Sequence, residues 1–256
     1  MSSLPFPRQS GRIVASAAVV ACLILSGCVR RPPEPLRPSS PYGAPYPSRT
    51  EAPLVGGLVD RAIDGGTQAA VVREGRDLGR CLAELNAARV RFSPVPDRQN
   101  TATCGLSQGG VLGSDLGTVA RMAPGDVEMT CQTALALSIW RRQSLEPAAR
   151  EILGSDVVQI DHMGAYACRN VNNGAGSNRI SAHSQAAALD FAGVRLRDGR
   201  RITVTKDWSG DTAEARFLRR IRDDACRIFG TTLSPDYNAV HHDHLHLEAT
   251  DTRFCR

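Results

Sequence analysis

An uncharged run from Ile13 to Leu25 decides which part of this 256-residue chain is free to fold as a globule. It follows Arg8 and Arg12, has the length of a signal-peptide hydrophobic region, and is short for a bilayer span. The run ends in Leu25-Ser26-Gly27-Cys28, small residues ahead of a cysteine, which is the pattern of a lipoprotein processing site. Residues 1–27 are therefore expected to be removed as a signal peptide and Cys28 to carry lipid. Acyl chains that bury about 0.8 kcal/mol per methylene, in more than one copy, hold a protein stably to a membrane face. Val29 stands after the cysteine, with no Asp there to retain the protein at an inner membrane, so the expected place is the periplasmic side of an outer membrane.

Residues 28–53 continue as a tether. Positions 30–53 hold eight of the fifteen Pro and show no apolar periodicity, so the stretch favours extended polyproline II at roughly 3.1 Å per residue. What remains, 54–256, is one globular domain. Taking away Arg8 and Arg12, and the four Arg of the tether against Glu34 and Glu51, brings the chain's formal charge of +5 down to about +1 for the domain. A near-neutral domain excludes a nucleic-acid binder that works through a basic, phosphate-tracking face, and a monomer is expected.

Export also decides how the cysteines read. With Cys22 in the leader and Cys28 at the lipid site, six of the eight remain: Cys81, Cys104, Cys131, Cys168, Cys226 and Cys255. An even number in an oxidising compartment reads as disulfides, and no CxxC pair argues for a zinc-thiolate site. Their order along the chain does not choose the pairing.

Element types alternate along the domain. Helical spacing runs through Leu78–Ala88, Val90–Val95 reads as a strand, and a helix starting near Thr130 carries Ala134, Leu135, Leu137, Ile139 and Trp140. Pro147 is expected to open a second helical stretch. Val157–His162 alternates like a strand; Ala187–Leu196 and Ile202–Val204 read as a hairpin about Asp198-Gly199; Thr212–Phe229 fits a helix, and Leu245–Glu248 a last strand. Helices mixed with antiparallel hairpins predict an α+β fold with a small antiparallel sheet and flanking helices. Trp140 and Trp208 are expected in the core, Tyr237 beside a cleft, and the isolated His162 as a satisfied structural histidine.

Five of the six His fall into two clusters, each with an acid: Ser181-Ala182-His183 leading to Asp190, and His241-His242-Asp243-His244-Leu245-His246. Two His and one carboxylate are a typical donor set for a catalytic zinc, which keeps its fourth position for water. Strand alternation would place His242, His244 and His246 on one face and Asp243 on the other.

The pattern Ser181-x-His183-x-x-Ala186-x-Ala188-x-Asp190, with His244-x-His246 far downstream, resembles the LAS metallopeptidases, the group of lysostaphin-type and D-Ala-D-Ala peptidases. Along residues 78–256 the chain is also similar to the extensin-like C-terminal domain family, through CQTALALSIW, HMGAYACRN, SAHSQAAALDFAGV, KDW and HHDHLHLE. The LAS resemblance implies a hedgehog/D,D-peptidase-like fold, zinc as cofactor, and His183, Asp190 and His246 as its ligands. Ala186 stands where many LAS peptidases have Gly.

The same resemblance offers two candidates for the general base. His244 matches the first His of the endopeptidase HxH, and strand alternation favours it; Asp243 matches the register of the carboxypeptidase acid and takes the role if the strand begins only at His244. His241 would line the cleft. Arg169, in the Tyr166-Ala167-Cys168-Arg169 element, is the candidate for holding an oxyanion, with Tyr166 beside it; Arg179 and Ser181 are candidates for touching substrate. The expected function is hydrolysis of peptidoglycan peptides by a zinc peptidase of the cell envelope, either endopeptidase or carboxypeptidase. The alternative is a non-catalytic envelope lipoprotein that binds peptidoglycan or serves structurally.

Overall fold

The structure, a computed structural model, describes residues 57–171 and 179–256. The expected signal peptide, the lipid site at Cys28 and the tether lie outside the described residues. Within them, no helix is long and apolar enough to cross a membrane.

The described chain opens on a 3-10 turn, Leu58–Asp60, and two helices, α1 (Thr67–Gly75) and α2 (Leu78–Ala87). Asp77 caps α2 by accepting from the Arg80 backbone amide, as an Asp before an apolar-periodic run is suited to do. Five strands follow: β1 (Val90–Pro94), β2 (Arg98–Gln99), β3 (Gly105–Leu106), β4 (Gly109–Asp115) and β5 (Arg121–Ala123). Then come β6 (Val127–Thr130) and α3 (Cys131–Trp140), whose N-cap is the Thr130 hydroxyl. The rod does not stop at Pro147 to start again: it runs through π-turns at Arg141–Leu145 and Ala149–Leu153 on either side of α4 (Glu146–Ala148) and ends on Gly154 at φ +68°.

The second half holds β7 (Val157–His162), β8 (Ala188–Leu196), β9 (Arg201–Thr203), α5 (Val204–Asp207), α6 (Ala213–Ala225), β10 (Thr231–Leu233), β11 (Leu245–Glu248) and β12 (Phe254–Cys255). Four expectations are corrected here. Val204 begins a helix instead of ending a strand, because Asp207 reaches back to accept from the Thr203 amide. The helix expected to reach Phe229 ends at Ala225, and β11 is not the last strand. The sheet is larger than expected and not purely antiparallel: its order is β12-β10-β11-β8-β7-β5, with β9 also on β8, and the β5–β7 and β10–β12 pairings are parallel. A three-stranded sheet, β1-β4-β6, and the β2–β3 pair stand apart from it.

The fold is thus α+β, and one core joins its parts. The apolar positions of α3 are buried all round, and its last residue, Trp140, meets the Phe191 ring of β8 edge-on at 5.1 Å and that of Phe229 at 6.5 Å. The Trp140 indole N–H donates to the Ile221 carbonyl at 2.8 Å, which satisfies its one buried polar atom. Trp208 is buried as expected, donating to Asp236.

All six domain cysteines are paired: Cys81–Cys131, Cys104–Cys168 and Cys226–Cys255. They close 50, 64 and 29 residues of sequence. In the loop-entropy picture each is worth about 4 kcal/mol. The first is fully buried between α2 and α3. The second ties the β2–β3 corner to the segment that carries Arg169, and the third ties the turn after α6 to β12.

Candidate metal centre

Two antiparallel strands and one tight turn assemble the centre. Asp190 on β8 and His246 on β11 are paired directly across the ladder, so their side chains stand side by side on one face. The third residue arrives from the turn before β8. Ser181 caps a 3-10 turn, Ala182–Gln185, by accepting from the His183 amide, and Ala186 then reverses the chain at φ +52°. A left-handed conformation at a residue with a Cβ costs about 1 kcal/mol and is the conformation for which glycine is favoured. It is held here by the Thr130 amide donating to the Ala186 carbonyl at 3.0 Å.

The outcome is a triangle of ligand atoms. His183 Nε2 lies 3.0 Å from Asp190 Oδ1 and 3.1 Å from His246 Nδ1, and His246 Nδ1 lies 3.0 Å from the same Asp190 oxygen. All three residues are buried. A tetrahedral zinc with bonds of about 2.0–2.1 Å sets its ligand atoms about 3.3 Å apart, so the triangle is within a few tenths of an ångström of what that ion takes.

The outer hydrogen bonds say which ring nitrogens are bare. His183 Nδ1 lies 3.0 Å from the Ala165 carbonyl, which only accepts, so the proton of the neutral ring sits on Nδ1 and Nε2 presents a lone pair. His246 does the reverse: its Nε2–H faces the Glu248 carboxylate at 3.4 Å, leaving Nδ1 bare. Three acceptors therefore converge with no donor among them, an arrangement that requires a cation. When that cation is a proton it rests on His246. Burial works against its charge, but hydrogen bonds to Asp190 and Glu248 outweigh burial and push the pKa up to about 9. Burial likewise works to raise Asp190, yet the bonds from His183 and His246 hold its carboxyl well below the usual range. Glu248 is lowered in the same way against its burial, and the Thr250 hydroxyl fixes its other oxygen.

His244 stands beside the triangle. Its Nδ1–H donates to Asp243 Oδ1 at 2.8 Å and its Nε2 lies 3.5 Å from Asp190 Oδ1. The strand begins only at Leu245, so alternation does not carry His242 and His244 onto the face of His246 as expected. A 3-10 turn, Ala239–His241, brings His244 and His241 to the site by another route, while His242 points out, its side chain 67% exposed. Asp243 approaches the His244 ring from behind, not the ligand triangle. His241 is tied through Nδ1 to Asn238 and its ring packs on both His244 and His246; burial, and then the neighbouring histidines, bring its pKa down to about 4, so the ring is neutral.

His241, His244, His246 and Glu248 open onto a cleft of about 740 Å³ lined also by Arg169, Arg179, Ser181, Gln185 and Tyr237, while His183 and Asp190 lie behind its wall. Arg169 sends one guanidinium nitrogen to 3.8 Å from Asp190 Oδ2, the oxygen turned away from the triangle. Tyr166 is not part of this lining: its hydroxyl accepts from Asn100 at 2.6 Å, and Arg98 lies over its ring. The residue that reading the sequence missed is Glu248. Its signal was present in Leu245-His246-Leu247-Glu248, since the period of two puts residues 246 and 248 on one face.

The donor set, the bare nitrogens and the adjacent His–Asp pair can hold a divalent ion and move a proton beside it. Comparison with known proteins adds one match: a family model described as Extensin-like protein C-terminus covers residues 79–256. No curated protein and no solved structure matches the chain.

Proposed function

We propose that this chain, which belongs to the extensin-like C-terminal family, is a zinc-dependent peptidase of the bacterial cell envelope acting on peptidoglycan peptides. The observation that carries the reading is the convergence of three buried acceptors, His183 Nε2, His246 Nδ1 and Asp190 Oδ1, with their bare atoms set by outer hydrogen bonds and a His–Asp pair alongside. The order and spacing of those residues, and their resemblance to the LAS peptidases, supply the substrate class. The leader, Cys28 and the tether supply the compartment: a lipoprotein held at the periplasmic side of the outer membrane, its domain reaching a wall layer close to its anchor.

His183, Asp190 and His246 would hold the zinc. Bound there, zinc supplies Lewis acidity toward an amide carbonyl and acidifies water. The chain's own part is proton handling and charge. His244, with its Nδ1 proton committed to Asp243, offers the Nε2 lone pair toward the centre, accepts a proton from the attacking water and returns it to the leaving amine. Asp243 thus acts through His244 as a positioning residue. Arg169 borders the same space and offers positive charge to the oxygen of the attacked carbonyl.

The test is the metal content of the purified protein together with its action on cross-linked peptidoglycan fragments. About one zinc per chain, and cleavage that falls by 10² to 10⁴ in His244→Ala while zinc stays bound, are expected. A protein that binds zinc yet releases no new amine from any fragment would favour the non-catalytic envelope lipoprotein.

A further inference from the structure

The described surface has seven exposed large apolar side chains, and four of them, Ile180, Tyr237, Val240 and Phe254, line the cleft over the metal centre. Scattered exposed apolar residues need no explanation, but a majority gathered in one concave site marks a place where something apolar binds. Rings connect this rim to the chemistry. Phe254 meets Tyr237 edge-on at 5.6 Å, Tyr237 lies 5.6 Å from His241, and His241 lies 6.0 Å from the ligand His246. Phe254 is 39% and Tyr237 42% exposed, so they give each other partial cover and keep surface open to the cleft.

The way Phe254 is held is unusual for a core residue and suited to a wall. It lies on β12, a two-residue strand paired in parallel with β10. The Phe254 and Arg256 amides donate to the Gly230 and Thr232 carbonyls, and the Cys226–Cys255 disulfide ties the residue next to Phe254 to the turn after α6. None of these attachments involves His183, Asp190, His246 or His244.

The geometry points to a subsite in which Phe254, Tyr237, Val240 and Ile180 bind a bulky apolar side chain of the substrate, close to the bond to be cut, with the Cys226–Cys255 disulfide holding the wall in place. The inference deepens the peptidase reading and rests on it only for the identity of the ligand as a peptide. Among peptidoglycan peptides it makes the preferred substrate one that lays a long aliphatic side chain of about leucine size on this wall, not one built of alanine alone. It also makes the selectivity of the cleft depend on an oxidising compartment, since β12 loses its covalent tie when the disulfide is reduced.

Binding, measured without reference to turnover, separates this inference from the proposed activity. Acetylated dipeptide amides Ac-Xaa-Ala, with Xaa alanine, leucine or phenylalanine in both L and D forms, are titrated into the full zinc-loaded protein. Leucine and phenylalanine peptides of one hand are expected to bind at least about tenfold tighter than the alanine peptide, the effect of burying several methylene equivalents. Phe254→Ser should remove that preference and leave the zinc content unchanged. The Cys226→Ser, Cys255→Ser pair should do the same, and Phe254→Ser decides the matter if the pair folds poorly. Equal affinity across the three side chains, no binding of any of them, or a preference that survives Phe254→Ser would overturn the subsite. Selective binding without hydrolysis would uphold the subsite and sink the peptidase reading instead.

Discussion

His162 and the pair His183–His246 are all buried histidines on or beside the same sheet, and they differ in what their nitrogens meet. At the end of β7, His162 accepts from the Gly164 amide through Nδ1 at 3.0 Å and donates from Nε2 to the Pro124 carbonyl at 2.8 Å. Each nitrogen has a complementary partner, and burial pushes its pKa down, so it is neutral and needs nothing more. His183 and His246 have one complementary partner each, on the outer nitrogen; on the inner one they face each other and a carboxylate. A buried histidine is a structural group when both nitrogens are matched, and a ligand when the remaining lone pair points at other lone pairs. Charge follows the same division: no proton is wanted at His162, while a cation is wanted at the triangle.

The comparison breaks most sharply under substitution. His183→Ala should leave the protein without stoichiometric zinc at micromolar metal, with all hydrolysis lost. His162→Gln should keep one zinc per chain and cost about 1–2 kcal/mol of unfolding free energy for its two buried hydrogen bonds. Metal analysis beside thermal unfolding of both variants reads this out. Zinc lost from His162→Gln, or retained in His183→Ala, would dissolve the distinction.

The next effect is one of pH. The apo centre keeps its proton on His246, with a pKa raised from 6.5 to about 9. A raised folded-state pKa gives stability that is fully present below the unfolded value of 6.5 and is lost as pH rises through about 9. Zinc bound as proposed would replace that proton. The metal-free protein should therefore melt lower at pH 9 than at pH 6.5, by no more than about 10 °C, while the zinc-loaded protein changes less over the same window. Calorimetry of the two forms checks it, and a metal-free protein with no loss across that interval would remove the proton from His246.

Much of the centre was legible in sequence because ligand chemistry needs particular residue types in a particular order, and His183, Asp190 and His246 have both. The expectation for His162 held for a plainer reason: one histidine with no acid or second histidine nearby has little to ligate with. What was not legible depends on backbone shape. Strand β4 was not anticipated from the sequence, and its glycines answer to packing: a Cβ at Gly109 would fall 2.3 Å from Leu106 Cδ1, and one at Gly110 would fall 2.4 Å from the Ser93 carbonyl oxygen. They are glycines because neighbours pack against the strand, not because the chain turns there. The route of His244 to the site escaped for a similar reason: the strand starts at Leu245, so alternation does not reach back to residues 242 and 244, and a 3-10 turn carries the histidine there. The disulfide pairing is set by the packing of α2 on α3 and by β12 on its sheet, contacts across 29 to 64 residues that no local pattern encodes.

The finest test acts on the partner that distinguishes His246 from the other two histidines. The outer partners of His162 and His183 include only backbone groups, the Pro124 and Ala165 carbonyls and the Gly164 amide, so substitution does not reach them directly. Glu248 alone is a side chain, and Glu248→Gln keeps an acceptor for the Nε2 proton while removing the charge that makes the ring a stronger donor toward a metal. Zinc affinity is expected to fall about 10- to 100-fold, measured by competition with a chelator, and excess zinc should restore one ion per chain. The same change should lower the His246 pKa in the apo form and shrink the loss of stability toward pH 9, since Glu248 is one of the groups that raise it. An unchanged affinity would mean that the 3.4 Å contact orients the ring without tuning it, and that the inner lone pairs, not their outer partners, are what separates the two kinds of histidine.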